Sequence, residues 1–255
     1  MNNLRTKLHG WLGLLALALA TPAEAQDSPG QATYDQLVRK YASIETKTRG
    51  VRYEDWKANA DDTAALSGVL NQWAQVDPRE LRGRHRQAFY INLYNATVLD
   101  LVLQSYPIET ITKLREPEFA IFEAPLVRLN GEKISLNELE KKRLMSEFRD
   151  ARNHFAVNCA SESCPPLANF AFDGKNLEDQ LNFVTRKFCA SSYGFRIDSN
   201  KRQLQFSKVF EWYARDFAPE SAHRYITRVL GEYLPGDYEE TWMEYDWALN
   251  DASGK

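Results

Sequence analysis

Apolar residues recur at helical spacing along much of the chain, and this pattern predicts a mostly helical protein. Residues 88–103 are apolar on nearly every side, which predicts a central buried helix. The sequence Asp77-Pro78-Arg79-Glu80 is a strong helix start, so we expect this helix to run from there to about Tyr106, just before Pro107. Further helices are predicted at 32–43, 63–74, 135–148, 176–190, 207–217 and 220–234.

Three short segments are typical of β-structure. Residues 126–134 predict a hairpin, because Asn130-Gly131 supplies the positive φ angles of a type I′ turn. A second hairpin is predicted at 195–206, around Ser199-Asn200, and the run from His154 to Cys159 predicts a buried strand. The fold class is therefore predicted as α+β, mostly helical with a small, largely antiparallel sheet.

The first 25 residues have the pattern of a cleavable secretory signal peptide. Arg5 and Lys7 precede an apolar run from Trp11 to Ala20, and Ala23-Glu24-Ala25 is a small-x-small cleavage site. An N-terminal membrane anchor is the alternative. Cleavage near Ala25 would leave 26–255 as a single globular domain, periplasmic or secreted, with no membrane span.

Composition limits the class of partner. The chain has 255 residues, of which 44% are hydrophobic and 26% charged, and its net charge is −3. A nucleic-acid-binding protein usually carries a basic excess or stripe, and this chain has neither, so we expect no nucleic-acid partner. We also expect no cofactor, and the oligomeric state stays open.

Three cysteines, Cys159, Cys164 and Cys189, are the first candidates for chemistry. An odd count in an oxidising compartment leaves one thiol unpaired, and any of the three pairings is possible. Cys159 ends the predicted strand before a Ser- and Pro-containing turn, a place where a nucleophile is rigid and accessible. A metal site is not expected. His154, Cys159 and Cys164 follow one another at intervals of five residues, and usual zinc-binding patterns do not have this spacing.

A catalytic thiol needs a base to take its proton, and His154 is the nearest histidine in sequence. In an ideal strand it would face away from Cys159, because an odd separation places two residues on opposite faces. The strand would have to twist, bulge or end between them. Otherwise Cys164 could fold back towards His154, or His85 or His223 could serve as the base.

Other polar residues complete the candidate site. Asn92 and Asn95 share one face of the central helix, so they either lock a neighbouring loop or line a site. Glu140 either orients the base or lies in a capped, solvated first turn. Arg152, Asn158 and Ser161 flank the thiols and are candidate substrate-binding residues.

Several runs resemble family 547 of the domains of unknown function. They are 87–96, 134–140, 152–167, 207–217 and 245–250, and the resemblance as a whole covers most of the chain after the signal peptide, from about Tyr34 to Asn250. It implies an exported bacterial domain with a two-cysteine motif, which Cys159 and Cys164 match and Cys189 does not. Members often carry a histidine after the acid equivalent to Glu140. Here that position is Lys141, so His154 becomes the better candidate for the base.

These features predict an exported thiol-dependent hydrolase or acyl transferase. Its substrate would be peptide-like, with a thiol compound such as glutathione as a variant. In residue types it is loosely similar to the papain and transglutaminase classes, and a cysteine-protease- or transglutaminase-like fold is an expectation from that analogy. The alternative is a non-catalytic periplasmic module that binds a ligand or partner and uses the two motif cysteines as a structural disulfide. Thiol–disulfide exchange is a third possibility.

Overall fold

Helices supply most of the regular structure in the computed structural model, which describes residues 28–254. The predicted signal peptide lies outside the described residues. The α-helices are α1 (Gln31–Tyr41), α2 (Tyr53–Ala58), α3 (Ala60–Trp73), α4 (Arg84–Ser105), α5 (Leu136–Glu138), α6 (Ser146–Phe148), α7 (Leu177–Cys189), α8 (Lys208–Trp212), α9 (Ala214–Phe217) and α10 (Ala222–Leu230). A π-helix (Leu139–Met145) joins α5 to α6, and 3₁₀ helices lie at Ile111–Lys113, Ala120–Phe122 and Ala151–Phe155.

The sheets are small and largely antiparallel, which confirms the predicted α+β class. The strands are β1 (Ala42–Ser43), β2 (Gly50–Val51), β3 (Val127–Leu129), β4 (Glu132–Ile134), β5 (Phe195–Asp198), β6 (Gln203–Phe206) and β7 (Glu239–Trp242). The pairs β1–β2, β3–β4 and β5–β6 are antiparallel, and β7 adds to β6 in parallel. Likeness to the papain and transglutaminase folds stays a prediction.

Helix α4 is the centre of the fold, as its apolar pattern predicts. It is buried without interruption from Gln87 to Leu99, and both asparagines of its predicted polar face are inside the protein. Its predicted start at Asp77 is wrong. The Asp77 carboxylate accepts the Arg79 backbone N–H at 2.9 Å and closes a local turn, and the helix begins only at Arg84 after Gly83.

The first hairpin forms as predicted, and the helix predicted at 135–148 is divided by the π-helix Leu139–Met145 between α5 and α6. Asn130 and Gly131 have φ of 47° and 80°, as a type I′ turn requires, and register pairs Val127 with Ile134. The Ser135 side chain then accepts the Glu138 N–H at 3.0 Å and caps α5. The predicted helix at 207–217 divides at Tyr213 into α8 and α9.

The predicted strand from His154 to Cys159 is wrong. The Asp150 side chain accepts the Arg152 N–H at 3.0 Å and starts a 3₁₀ helix that runs through His154 to Phe155. After it, the Asn158 N–H donates to the Asn95 side chain at 2.8 Å instead of to a strand. The run is apolar because it is buried, and its backbone is satisfied by turns and amides rather than by a sheet. Because the segment is not a strand, the expectation that His154 and Cys159 face opposite sides of a sheet does not apply.

A continuous cluster of buried apolar side chains extends from Tyr34 to Leu234 and surrounds α4. Within residues 28–254, no helix is both long and apolar enough to cross a membrane.

Candidate active site

The loop that carries the two motif cysteines is shaped by the side chain of Asn158. Its amide nitrogen donates to the Pro165 carbonyl at 2.7 Å, and its oxygen accepts the Ala160 N–H at 3.0 Å. Ala160 has φ of 63°, a left-handed conformation that costs a non-glycine residue free energy, and it is fully buried. Asn158 thus holds a strained turn directly after Cys159.

Two asparagines from distant parts of the chain hold this loop in place. Asn95 of α4 donates to the Ala156 carbonyl at 2.9 Å and accepts the Asn158 N–H. Asn250 donates to the Asn158 side chain at 3.2 Å. The C-terminal segment also pairs with the loop through its backbone, since Ala248 O accepts the Glu162 N–H at 2.8 Å. The predicted residues Asn95 and Asn158 therefore position the thiols.

Cys159 is half-buried, and several donors surround its sulfur. Its Sγ lies 3.1 Å from the Ser161 hydroxyl and 3.4 Å from the Tyr245 hydroxyl. The pKa of Cys159 is lowered to about 7, and a hydrogen bond from Cys164 is the largest cause. Burial opposes this by raising the pKa. Hydrogen bonds with the Ser161 and Tyr245 hydroxyls and with the Ser161 backbone N–H lower it further. Ser161 donates to the Tyr245 oxygen at 2.9 Å, which polarises the Tyr245 O–H towards the thiolate. Much of Cys159 is therefore the reactive thiolate at neutral pH.

The other two cysteines are buried and stay protonated. Cys164 Sγ accepts the Cys159 backbone N–H at 3.0 Å, and burial together with the adjacent thiol raises the pKa of Cys164 well above its ordinary value. Burial raises the pKa of Cys189, in α7, to about 12. All three cysteines are free thiols, and among them no pair lies at disulfide distance. The alternative expectation of a disulfide between Cys159 and Cys164 is not what the structure contains.

His154 is fixed by a carboxylate and an aromatic ring. Its Nε2 lies 2.8 Å from an Asp216 carboxylate oxygen, and its ring stacks on Tyr213 with centroids 3.9 Å apart. Burial lowers the pKa of His154 against the opposing effect of Asp216, so the imidazole is neutral at pH 7. Because a carboxylate only accepts, Nε2 carries the proton and Nδ1 has the lone pair. Nδ1 is buried and has no hydrogen-bond partner within residues 28–254.

Glu140 reaches the same region from the π-helix. A π-helical turn displaces side chains from the ordinary α-helical positions, and such turns often occur at functional sites. Glu140 is only 5% exposed and accepts the Tyr213 hydroxyl at 2.9 Å. Burial raises the pKa of Glu140, while the hydroxyls of Tyr213 and Tyr94 and the charge of Lys141 lower it. Glu140 is thus a carboxyl that can hold a proton at higher pH than usual.

These groups line one cavity of about 580 Å³, which we call the thiol cavity. The residues that it brings together include Cys159, Cys164, His154 and Glu140, the four predicted catalytic residues. Aromatic side chains form much of the remaining wall: Tyr94, Phe119, Phe122, Trp212, Tyr213, Tyr245 and Trp247. The volume and the mostly apolar wall with a few polar groups are typical of small-ligand sites.

Two of the predicted substrate-binding residues, Asn92 and Arg152, lie outside the thiol cavity. Asn92 bonds the backbone of Phe172 through both ends of its amide, at 2.7 and 2.9 Å, and so fixes a neighbouring segment. Arg152 pairs with Asp150 and Glu178 outside the thiol cavity, which does not favour it as a substrate ligand. Ser161 contacts the thiol directly, as described above.

The alternative bases lie away from the thiols. His223 pairs with Glu240 at 3.0 Å, and the His85 ring packs against Gly174. Neither histidine lines the thiol cavity. Within residues 28–254, no group of three or more His, Cys, Asp and Glu side chains could hold a metal ion.

The sequence analysis missed three residues of the site. Asp216 is 62 positions from His154, and Tyr245 is 86 positions from Cys159. Tyr213, which links His154 to Glu140, lies between α8 and α9. The signal available for Tyr213 and Asp216 was the run 207–217, and for Tyr245 it was the run 245–250.

Comparison with known proteins gives one family. The family model described as "Protein of unknown function, DUF547" matches residues 78–189. The matched part contains Glu140, His154, Cys159 and Cys164, whereas Asp216 and Tyr245 follow it. No curated protein and no solved structure matches the chain.

Proposed function

We propose that this chain, which matches the DUF547 family model over residues 78–189, is a thiol-dependent hydrolase or acyl transferase with Cys159 as its nucleophile. One observation supports this most strongly. A thiol with a pKa of about 7 shares a cavity with a histidine that a carboxylate orients. Nucleophile, base and orienting acid are the components of acyl transfer on unrelated folds. The substrate is a peptide-like acyl donor.

Acylation begins from the thiolate. Cys159 Sγ attacks the carbonyl carbon of the donor, a thioester bond forms, and the bond to the leaving group breaks. The leaving group takes a proton from Glu140, whose burial keeps the carboxyl protonated to higher pH. The Tyr245 hydroxyl and the Ser161 backbone N–H, which donate towards the thiolate, lose that charged partner as the thioester forms.

Deacylation uses the free nitrogen of His154. Nδ1 accepts a proton from a water molecule, the water oxygen attacks the thioester carbon, and Cys159 leaves as the thiolate. Asp216 stabilises the imidazolium that forms, and a proton returns through solvent to Glu140. The sum is an acyl donor plus water giving a carboxylic acid and the protonated leaving group. An amine in place of water gives acyl transfer.

Burst kinetics with 4-nitrophenyl acetate test this proposal. We expect one equivalent of 4-nitrophenolate per chain in the burst, followed by slower turnover. Cys159→Ala should abolish both phases, whereas His154→Gln should keep the burst and slow the turnover, because His154 acts in deacylation. Cys189→Ala, a buried thiol away from the cavity, is the matched control and should behave as the wild type. Hydrolysis that survives in Cys159→Ala overturns the proposal.

The position of Cys164 favours a second candidate, thiol–disulfide exchange. Its sulfur is held against the backbone of Cys159, and a low-pKa thiol beside a protonated one is the arrangement such exchange needs. Cys159 would attack a disulfide and release one thiolate. Cys164 would then lose its proton to solvent, attack the mixed disulfide and release the second.

Oxidised glutathione separates the two candidates. Exchange predicts that the wild-type chain loses two hydrogens and gains no adduct, and that Cys164→Ala accumulates a glutathione adduct on Cys159. An adduct on Cys159 that persists in the wild-type chain would contradict exchange and leave acyl transfer as the function.

A further inference from the structure

We propose that the substrate of the thiol cavity carries a cationic group, an ammonium or guanidinium of the kind found on lysine and arginine side chains. This inference rests on the proposed function, since it names the substrate class of the same site. Two independent features of the cavity wall support it: its carboxylates and its aromatic rings.

The charged residues of the wall have one sign. Glu118 and Glu123 line the cavity as carboxylates, and within residues 28–254 no lysine or arginine lines it. Neither glutamate forms an ion pair with a described residue. Glu118 instead accepts the Thr112 hydroxyl at 2.9 Å, and Glu123 accepts the Asn137 side-chain amide. Neutral donors thus hold both carboxylates in position at the cavity wall. Lys141, next to Glu140 in sequence, lies outside the cavity wall.

Aromatic rings surround the same opening. Tyr245 and Trp247 have centroids 4.6 Å apart, and Trp212 and Phe119 contact this pair at 4.7 Å and 4.9 Å. Phe119 and Trp212 are 40% and 48% exposed, unusually high for such large apolar side chains. The negative faces of aromatic rings attract cations, and aromatic cages are a common way to bind alkylammonium groups. Rings and carboxylates together favour a cation over a neutral apolar group.

Matched esters test the charge preference. The probes are the 4-nitrophenyl esters of benzyloxycarbonyl-lysine and benzyloxycarbonyl-norleucine, which differ in the side-chain ammonium. We expect kcat/KM to be ~10-fold higher for the lysyl ester at low salt. The ratio should fall towards 1 in Glu118→Gln/Glu123→Gln. The matched control is Glu232→Gln, an exposed glutamate outside the cavity, and it should keep the ratio of the wild type.

A binding experiment keeps this inference separate from the proposed function. Cys159→Ala is titrated with Nα-acetyl-lysine amide and with Nα-acetyl-norleucine amide, and tryptophan fluorescence reports occupancy near Trp212 and Trp247. Tighter binding of the lysine amide supports the inference even if no ester is turned over. Equal turnover of both esters together with equal binding of both amides overturns it and leaves the nucleophile proposal intact. A preference for the norleucine compounds also overturns it.

Discussion

Removing the Cys164 thiol tests the physical origin of the reactivity of Cys159. The hydrogen bond from Cys164 contributes most to the low pKa of Cys159, so Cys164→Ala should return that pKa towards its ordinary value of ~8.5. A change from about 7 to that value is ~1.5 units, or ~2 kcal/mol of lost thiolate stabilisation. The thiolate fraction at pH 7 would fall from about half to ~3%.

The midpoint of a pH profile is a better observable than a single rate. A thiolate of higher pKa is intrinsically more nucleophilic, which offsets much of its lower population, so the rate at pH 7 falls only ~3-fold. The assay is the rate of iodoacetamide alkylation from pH 5 to 10, resolved at the Cys159 peptide by mass spectrometry. Circular dichroism verifies that each variant is folded.

Cys164→Ser is the matched variant, because its hydroxyl keeps a donor near the same position. We expect its midpoint to lie between those of the wild type and Cys164→Ala. A midpoint in Cys164→Ala that stays near 7 would refute the argument that the adjacent thiol stabilises the Cys159 thiolate.

Three further predictions concern the surroundings of the thiol. Tyr245→Phe removes a smaller contribution, so the alkylation midpoint of Cys159 should rise by less than in the Cys164 variant; an unchanged midpoint contradicts this role. Asn158→Ala removes the hydrogen-bond partner of the Pro165 carbonyl, the Ala160 N–H and the Asn250 amide, and it should lower the free energy of unfolding in urea by ~3 kcal/mol. The control variant Asn200→Ala lies in an exposed turn and should leave that free energy unchanged. Burial raises the folded-state pKa of Glu140, so the stability contributed by its proton is present at low pH and is lost as pH rises through that pKa. Glu140→Gln stays neutral, so its Tm relative to the wild type should increase from pH 4 to 8, and a constant difference would contradict the burial argument.

The local elements were predictable wherever one local signal determines the backbone. Asn130-Gly131 specifies a tight turn, and Ser135 specifies a cap three residues before Glu138. The run at 88–103 is apolar on all sides and forms the buried part of α4. In each case the interacting groups are near neighbours in sequence.

The same kind of signal failed where side chains replace secondary-structure partners. The apolar residues at 154–159 resemble a strand, but Asp150 starts a 3₁₀ helix there and Asn95 accepts the backbone N–H that a strand would have taken. Asp77 is of a residue type that often caps helices, but here its side chain closes a local turn. Sequence patterns record burial and polarity, and they do not record which group satisfies the backbone.

The candidate site was predictable in its residue types and not in its assembly. Cysteines, histidine and glutamate were identifiable as chemistry-bearing residues, and the structure brings Cys159, His154 and Glu140 to one cavity. Asp216 and Tyr245 join them through contacts between residues far apart in the chain. Such contacts depend on the packing of α9 and the C-terminal segment, which local periodicity does not determine.

Trapping the acyl intermediate tests the central claim most directly. The folded wild-type chain is mixed with 4-nitrophenyl acetate, quenched in acid within the burst and digested, and the acetyl group is located by mass spectrometry. We predict a hydroxylamine-sensitive acetyl group on Cys159, with Cys164 and Cys189 unmodified. An acetyl group on another residue, or equal labelling of all three cysteines, would contradict the assignment of Cys159 as the nucleophile.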